Sequence, residues 1–173
     1  MAVEVETGLY MNKLTTGVFS HNPLHDIESV WWVGLWFLLC HYEPSKLETK
    51  AVQKHVKVVK KFSETLFNNH MNSSSRRQAL TGSTLIASTK PQFFAESVMY
   101  LIVILNAFRV QLVTYYGSYK PKESQDRTFF IPDVHRKFGD VIEGTMEKLR
   151  NDQTELWPLY DIEARITKLN IEK

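Results

Sequence analysis

The chain has one cysteine, Cys40, in 173 residues. That excludes an intramolecular disulfide framework and every zinc or iron–sulfur site built on several thiolates. Seven glycines and six prolines are too few for a low-complexity or linker-like chain. No strong excess of either charge exists: 21 Lys and Arg stand against 19 Asp and Glu. A net charge of +2 argues against a dedicated nucleic-acid binder. Long apolar runs are missing too. Val30 to Cys40 holds 11 residues without a charge and Ser97 to Phe108 holds 12. A spanning helix needs about 20 apolar residues. Both runs therefore read as buried helices, and no membrane span is expected. The first six residues carry two Glu and no Lys or Arg, the wrong start for a signal or transit peptide. Together with the cysteine usage, this points to an intracellular, cytoplasmic or nuclear protein that is not secreted.

Catalytic signatures are equally scarce. There is no Gly-x-Gly-x-x-Gly and no phosphate loop ending in Gly-Lys-Ser/Thr. There is no Gly-x-Ser-x-Gly elbow and no His-Glu-x-x-His. His21 and His25 have the spacing of a helical metal pair, but Pro23 lies between them in a turn-like segment, and no further ligand accompanies them. Cys40 sits in an apolar run, where a thiol acts as a small core hydrophobe.

What is present is helical pattern. The first 24 residues read as irregular, with turn signals at Thr7-Gly8, Thr16-Gly17 and Asn22-Pro23. Asp26 then stands as an N-cap, partly buried because the helix after it is so apolar. A carboxylate there caps its own helix or anchors another backbone segment. From Ile27 to Tyr42 apolar residues cover nearly every face, which predicts a central helix surrounded by others and ended by Pro44. A second helix is predicted from Ser45 to Asn69, with an inner stripe of Leu47, Ala51, Val52, Val56, Val59, Phe62 and Leu66. Its outer stripe is Lys46, Lys50, Lys54, Lys57 and Lys61. With Lys60 and Glu48 the local charge is +5. Such a face can meet anionic lipid, nucleic acid or an acidic partner, though charge runs are more commonly solvated.

Asn68 to Arg77 reads as a polar loop, and Leu80 to Ser88 as either loop or short helix. Long helices are predicted from Pro91 to Tyr116 and from Asp133 to Arg150, separated by a loop over Gly117 to Pro132. Trp157-Pro158 breaks the chain before a short helix over Tyr160 to Leu169. No repeat and no strand-period stretch appears, so the fold class is mostly α.

The residues from His25 onward carry a resemblance. His25-Asp26-Ile27-Glu28-Ser29-Val30-Trp31-Trp32-Val33-Gly34-Leu35-Trp36 resembles the His-Asp-Leu-Glu-Ser-Phe-x-x-Val-Leu-x-Trp signature of fungal-type protein kinases. It is similar also to the Asp-Asp-Leu-Glu-Ser-Leu-Gly segment of casein-kinase-like enzymes. Ahead of it, Met1-Ala2-Val3-Glu4-Val5 is similar to the Met-Ala-x-Glu that ends the activation segment, with Val3 where Pro is usual.

The resemblance implies a partial kinase-like large lobe, helical and without a strand-rich small lobe. Residues 1–24 would be the end of the activation segment and a following loop, 25–42 the central buried helix, and 45–173 the remaining helices. Ala2, Glu4 and Asp26 would be family structural positions. Asp26 would hold the backbone of the catalytic loop, and Glu4 would pair with an arginine, left open among Arg109, Arg127, Arg136 and Arg150.

The implied family activity is ATP-dependent phosphorylation of protein Ser or Thr. The chain contains no His-Arg-Asp and no Asp-Phe-Gly. Phosphoryl transfer depends on holding the nucleotide phosphates and Mg²⁺ and on an acceptor-orienting Asp. The expectation is a C-terminal kinase segment with no catalytic residue, no metal site and no ATP or Mg²⁺ site of its own. The alternative is a non-catalytic helical interaction or scaffold module, meeting a protein partner through surface that a missing half would leave bare. With no catalytic loop to hold, Asp26 is expected to turn to its own helix or stay partly exposed.

Overall fold

A computed structural model describes residues 2–7, 11, 21–42, 49–67, 73–82, 96–118, 132–152, 157–158 and 167. The described elements are α1 (Val3–Thr7), α2 (Pro23–Cys40), β1 (His41–Tyr42), α3 (Lys50–Phe67), α4 (Ser73–Thr81), α5 (Glu96–Ser118), α6 (Pro132–Asn151) and β2 (Trp157–Pro158). The fold is mostly helical. Among the described residues, β1 and β2 form an antiparallel pair, with His41 opposite Pro158 and Tyr42 opposite Trp157.

Helix α2 organises the rest. It packs on α5, α3 and α1, while α4 bridges α1, α3 and α5, and α6 lies on α5. Trp31, Leu35, Leu38 and Leu39 of α2 are buried against a single core that runs from Val3 to Tyr116. The Trp31 indole donates to the Leu105 carbonyl of α5 at 2.8 Å, so the largest core side chain also satisfies its polar atom.

Not every face of α2 is covered. Val30, Val33 and Trp36 are exposed, Val33 by 66%. These positions recur every third residue, so they form one outward strip on the helix. The expectation of a helix surrounded on all sides is corrected accordingly. The helix also ends before Pro44, at Cys40, because His41 turns extended (φ −129°, ψ 139°) to pair with β2.

The amphipathic pattern of α3 is realised over Lys50–Phe67. Val52, Val56, Val59 and Leu66 are buried and Phe62 is half-buried, whereas Ala51 is exposed. Buried His55 and Ser63 join the inner face. Thr49 starts the helix, its Oγ1 accepting from Val52 N at 3.3 Å. Leu47 and Lys46 lie outside the described residues.

Two stretches expected to be irregular are helical. Val3–Thr7 forms α1, with Ala2, Val3 and Glu4 buried. Ser73–Thr81 forms α4, because Arg76, Ala79 and Leu80 make a buried stripe at spacings of three and four. A serine-rich start had suggested a loop, but serine is also favoured where helices begin.

Along α5, Val98, Leu101, Ile102, Leu105, Phe108 and Leu112 are buried as the pattern predicts, while Phe94 lies outside the described residues. The helix runs further than the charge-free stretch. Val98–Ser118 is therefore long and apolar enough to cross a membrane by length and composition alone. It nevertheless carries buried Arg109, which donates to the Leu80 carbonyl at 3.0 Å and to Asn106 Oδ1. One side of the helix packs on α2, α4 and α6, while Met99, Tyr100, Val103 and Val110 are exposed on the other. The short helix expected over Tyr160 to Leu169 falls almost wholly outside the described residues.

Replacing Leu35, which has no exposed surface, by Ala is expected to cost about 2–5 kcal/mol in urea unfolding, through lost burial and a residual cavity. Val33→Ala, on the outward strip of the same helix, should stay within about 0.5 kcal/mol of the wild type.

Candidate functional site

Four of the buried polar side chains among the described residues, Glu4, Asn22, His25 and Glu28, converge at the start of α2. Asn22 is its N-cap, in extended geometry (φ −137°, ψ 162°), and Pro23 follows at the first helical position. Asn22 Oδ1 accepts from Leu24 N at 2.9 Å. In return Asn22 N donates to His25 Nδ1 at 3.1 Å, so His25 takes the place that Glu or Gln holds in the usual capping box. The expectation that Asp26 caps the helix is corrected: the cap lies four residues earlier. Asn22-Pro23 carried that signal, since an Asn followed by Pro matches the N-cap and first-turn preferences.

The capping box sets the ring of His25. Because Nδ1 accepts, Nε2 carries the proton and donates to Glu4 Oε2 at 2.8 Å. Both side chains are about 1% exposed. Asn22 Nδ2 lies 3.0 Å from the same Nε2. Glu4 Oε1 also accepts from Met11 N. Glu4 thus ties α1 and the chain at Met11 to the first turn of α2.

Glu28, one turn along, is the second anchor, with no exposed surface. Its Oε1 accepts from Val3 N and from Trp32 Nε1, both at 2.7 Å. Its Oε2 accepts from Tyr116 Oη at 2.6 Å. Trp32 in turn carries the Arg76 guanidinium 4.2 Å above its ring centroid. One carboxylate therefore joins α1, α2 and α5, and through Trp32 it meets α4. Burial raises the pKa of Glu28. The hydrogen bonds from Tyr116, Trp32 and Val3 and the charge of Arg76 pull the other way without overcoming it. Burial also raises the Tyr116 phenol, helped by the charge of Glu28.

Asp26 is elsewhere. Its side chain is 71% exposed, 3.6 Å from His21 Nε2. Residues 26 and 28 point about 200° apart on a helix, so one faces water where the other faces the core. The expectation of a partly buried Asp26 is corrected, and the buried acid that sequence reasoning missed is Glu28. Of the arginines left open as partners of Glu4, Arg109 is bonded to Leu80 and Asn106, Arg136 and Arg150 are exposed on α6, and Arg127 lies outside the described residues. Among the described residues His25 is one partner of Glu4.

Chemically, this cluster is a clamp. Its carboxylates are sealed from solvent and bonded on both oxygens, which leaves no edge for a substrate. Buried ion and hydrogen-bond networks of this kind perturb pKa values without catalysis. Cys40 is half-buried and burial raises its pKa, which keeps it a thiol rather than a nucleophilic thiolate. Among the described residues no group of three or more His, Cys, Asp or Glu is placed to hold a metal. Lys50, Lys54, Lys57 and Lys61 are all exposed on α3.

Two open grooves flank the outward strip of α2. One, of about 240 Å³, is lined by Ser29, Trp32, Val33, Trp36, Leu66, Phe67 and Arg76. The other, of about 170 Å³, lies between Val33, Gly34, Phe37, Leu101, Ile142 and Met146. Val33 borders both.

Comparison with protein-family models, with curated proteins and with solved structures finds no match for this chain.

Glu4→Ala should remove the acceptor that Glu4 offers the buried Nε2–H of His25 and cost about 1–3 kcal/mol. Amide exchange at Met11 should accelerate while α5 stays protected; uniform acceleration would contradict a local tie. Tyr116→Phe tests the second anchor through pH. Because the folded state raises the pKa of Glu28 above 4.5, its contribution is full below that pH and is lost as pH rises through the folded value. Removing the hydroxyl raises that value further. The Tyr116→Phe penalty should therefore be larger at pH 7, about 1.5–3 kcal/mol, than at pH 4. Urea unfolding at the two pH values measures it.

Proposed function

We propose that these residues form the helical part of a kinase-type large lobe of the fungal-type family, supporting a phosphotransfer site to which they contribute no catalytic residue. The observation that carries this reading is the junction of α1 with α2. The Ala2-x-Glu4 segment at the start of α1 is tied by two buried carboxylates to α2, which carries His25-Asp26-Ile27-Glu28-Ser29. Beside that tie, Asp26 is left at the surface, where it can accept backbone N–H groups of another segment.

ATP and Mg²⁺, which the family uses, do not fit the residues present. Glu4 and Glu28 are buried and bonded, and the sequence holds neither a phosphate-cradling glycine loop nor His-Arg-Asp nor Asp-Phe-Gly.

A second reading, a non-catalytic interaction module, is favoured by the outward strip of Val30, Val33 and Trp36 and the grooves beside it. Exposed apolar surface of this kind marks interaction sites.

The transcript upstream of the Met1 codon separates the two. In-frame His-Arg-Asp followed by Asp-Phe-Gly is the expected result for the kinase reading; a stop codon or an unrelated exon would overturn it in favour of the module. Purified protein incubated with γ-labelled ATP and Mg²⁺ should incorporate phosphate only at background, and clear incorporation would refute the assignment of no catalytic residue.

A further inference from the structure

The outer face of α3 carries Lys50, Lys54, Lys57 and Lys61, all exposed, at spacings of four, three and four. A row of that length spans about 16 Å on one side of a straight helix. No ion pair ties any of the four to another described residue. The one acid within α3, Glu64, stands beyond the end of the row. Val58, 54% exposed, and exposed Ala51 lie along one edge. The opposite face, Val52, Val56, Val59 and Leu66, is committed to the core, so the helix cannot rotate to present anything else.

We propose that this face docks, without spanning, on an anionic lipid surface such as a phosphatidylserine-containing leaflet. A flat negative surface reaches every charge in a straight row at once, and clusters of four or more Lys on an amphipathic helix suit it. The apolar edge of Val58 and Ala51 suits the headgroup boundary. Two other partners fit less well. An acidic peptide would gain only solvent-exposed ion pairs, each worth little. A nucleic acid is held best by guanidinium forks and by aromatic side chains stacking on bases, and this face has neither.

The test uses the full chain and vesicles of phosphatidylcholine with and without phosphatidylserine. Sedimentation with the anionic vesicles alone, weakening as salt is raised, is the expected result. Each neutralised lysine should lower partitioning about fivefold, so Lys54→Gln/Lys57→Gln should lower it about 25-fold. Both side chains are exposed, and the circular dichroism of the variant should match that of the wild type. Lys148→Gln, at an exposed position on α6, should bind as the wild type does. Absence of binding, equal binding to neutral vesicles, equal loss in Lys148→Gln, or displacement from vesicles by duplex DNA at matched phosphate would each overturn the proposal.

Discussion

A carboxylate with no exposed surface survives in a folded chain only if donors reach it from several directions, and Glu28 is reached from three. A backbone N–H comes from α1, an indole from α2 itself and a phenol from α5. These segments are distant in sequence: Val3 lies 25 residues before Glu28 and Tyr116 lies 88 after it. Meeting at one side chain fixes how the three helices sit around it. Apolar packing alone is far less particular, because many arrangements bury the same side chains. The hydrophobic core supplies the driving force for collapse, and the Glu28 bonds select one arrangement of α1, α2 and α5.

The same logic accounts for the N-terminal segment. A helix of five residues is too short to be stable by itself. Here it is held through Val3 N on Glu28 and through Glu4 on His25, whose other nitrogen is engaged in capping α2. Capping, the buried pair and the position of α1 are one connected network, and substitution of any member leaves a buried polar group without its match. Asp26 is outside that network. It occupies the face of α2 that turns to solvent, beside His21.

A conflict remains on the surface of α2. A helix this apolar would be expected at the centre of a bundle, yet Val30, Val33 and Trp36 face outward beside two grooves. Both readings of function share this feature. A kinase-type lobe would cover the strip with other parts of its own domain, and an interaction module would cover it with a partner.

Several features were legible in the sequence because they are local. The 3.6-residue period marked the inner faces of α3 and α5, and the lysine stripe marked the outer face of α3. The paucity of thiols bounded the metal chemistry. Misreadings arose where a residue type serves two structural ends. Three serines can open a helix as well as a loop, Asn22-Pro23 can cap a helix as well as make a turn, and one acid in the first turn can face water while another two positions on faces the core. Periodicity gives each helix a buried side but not the identity of what lies against it. Only the tertiary structure decided that Glu28 rather than Asp26 is the buried acid, that His25 answers Glu4, and that one face of α2 stays open. Those outcomes depend on where α1 and α5 arrive in space, and contacts across 25 or 88 residues leave no period in the chain to read.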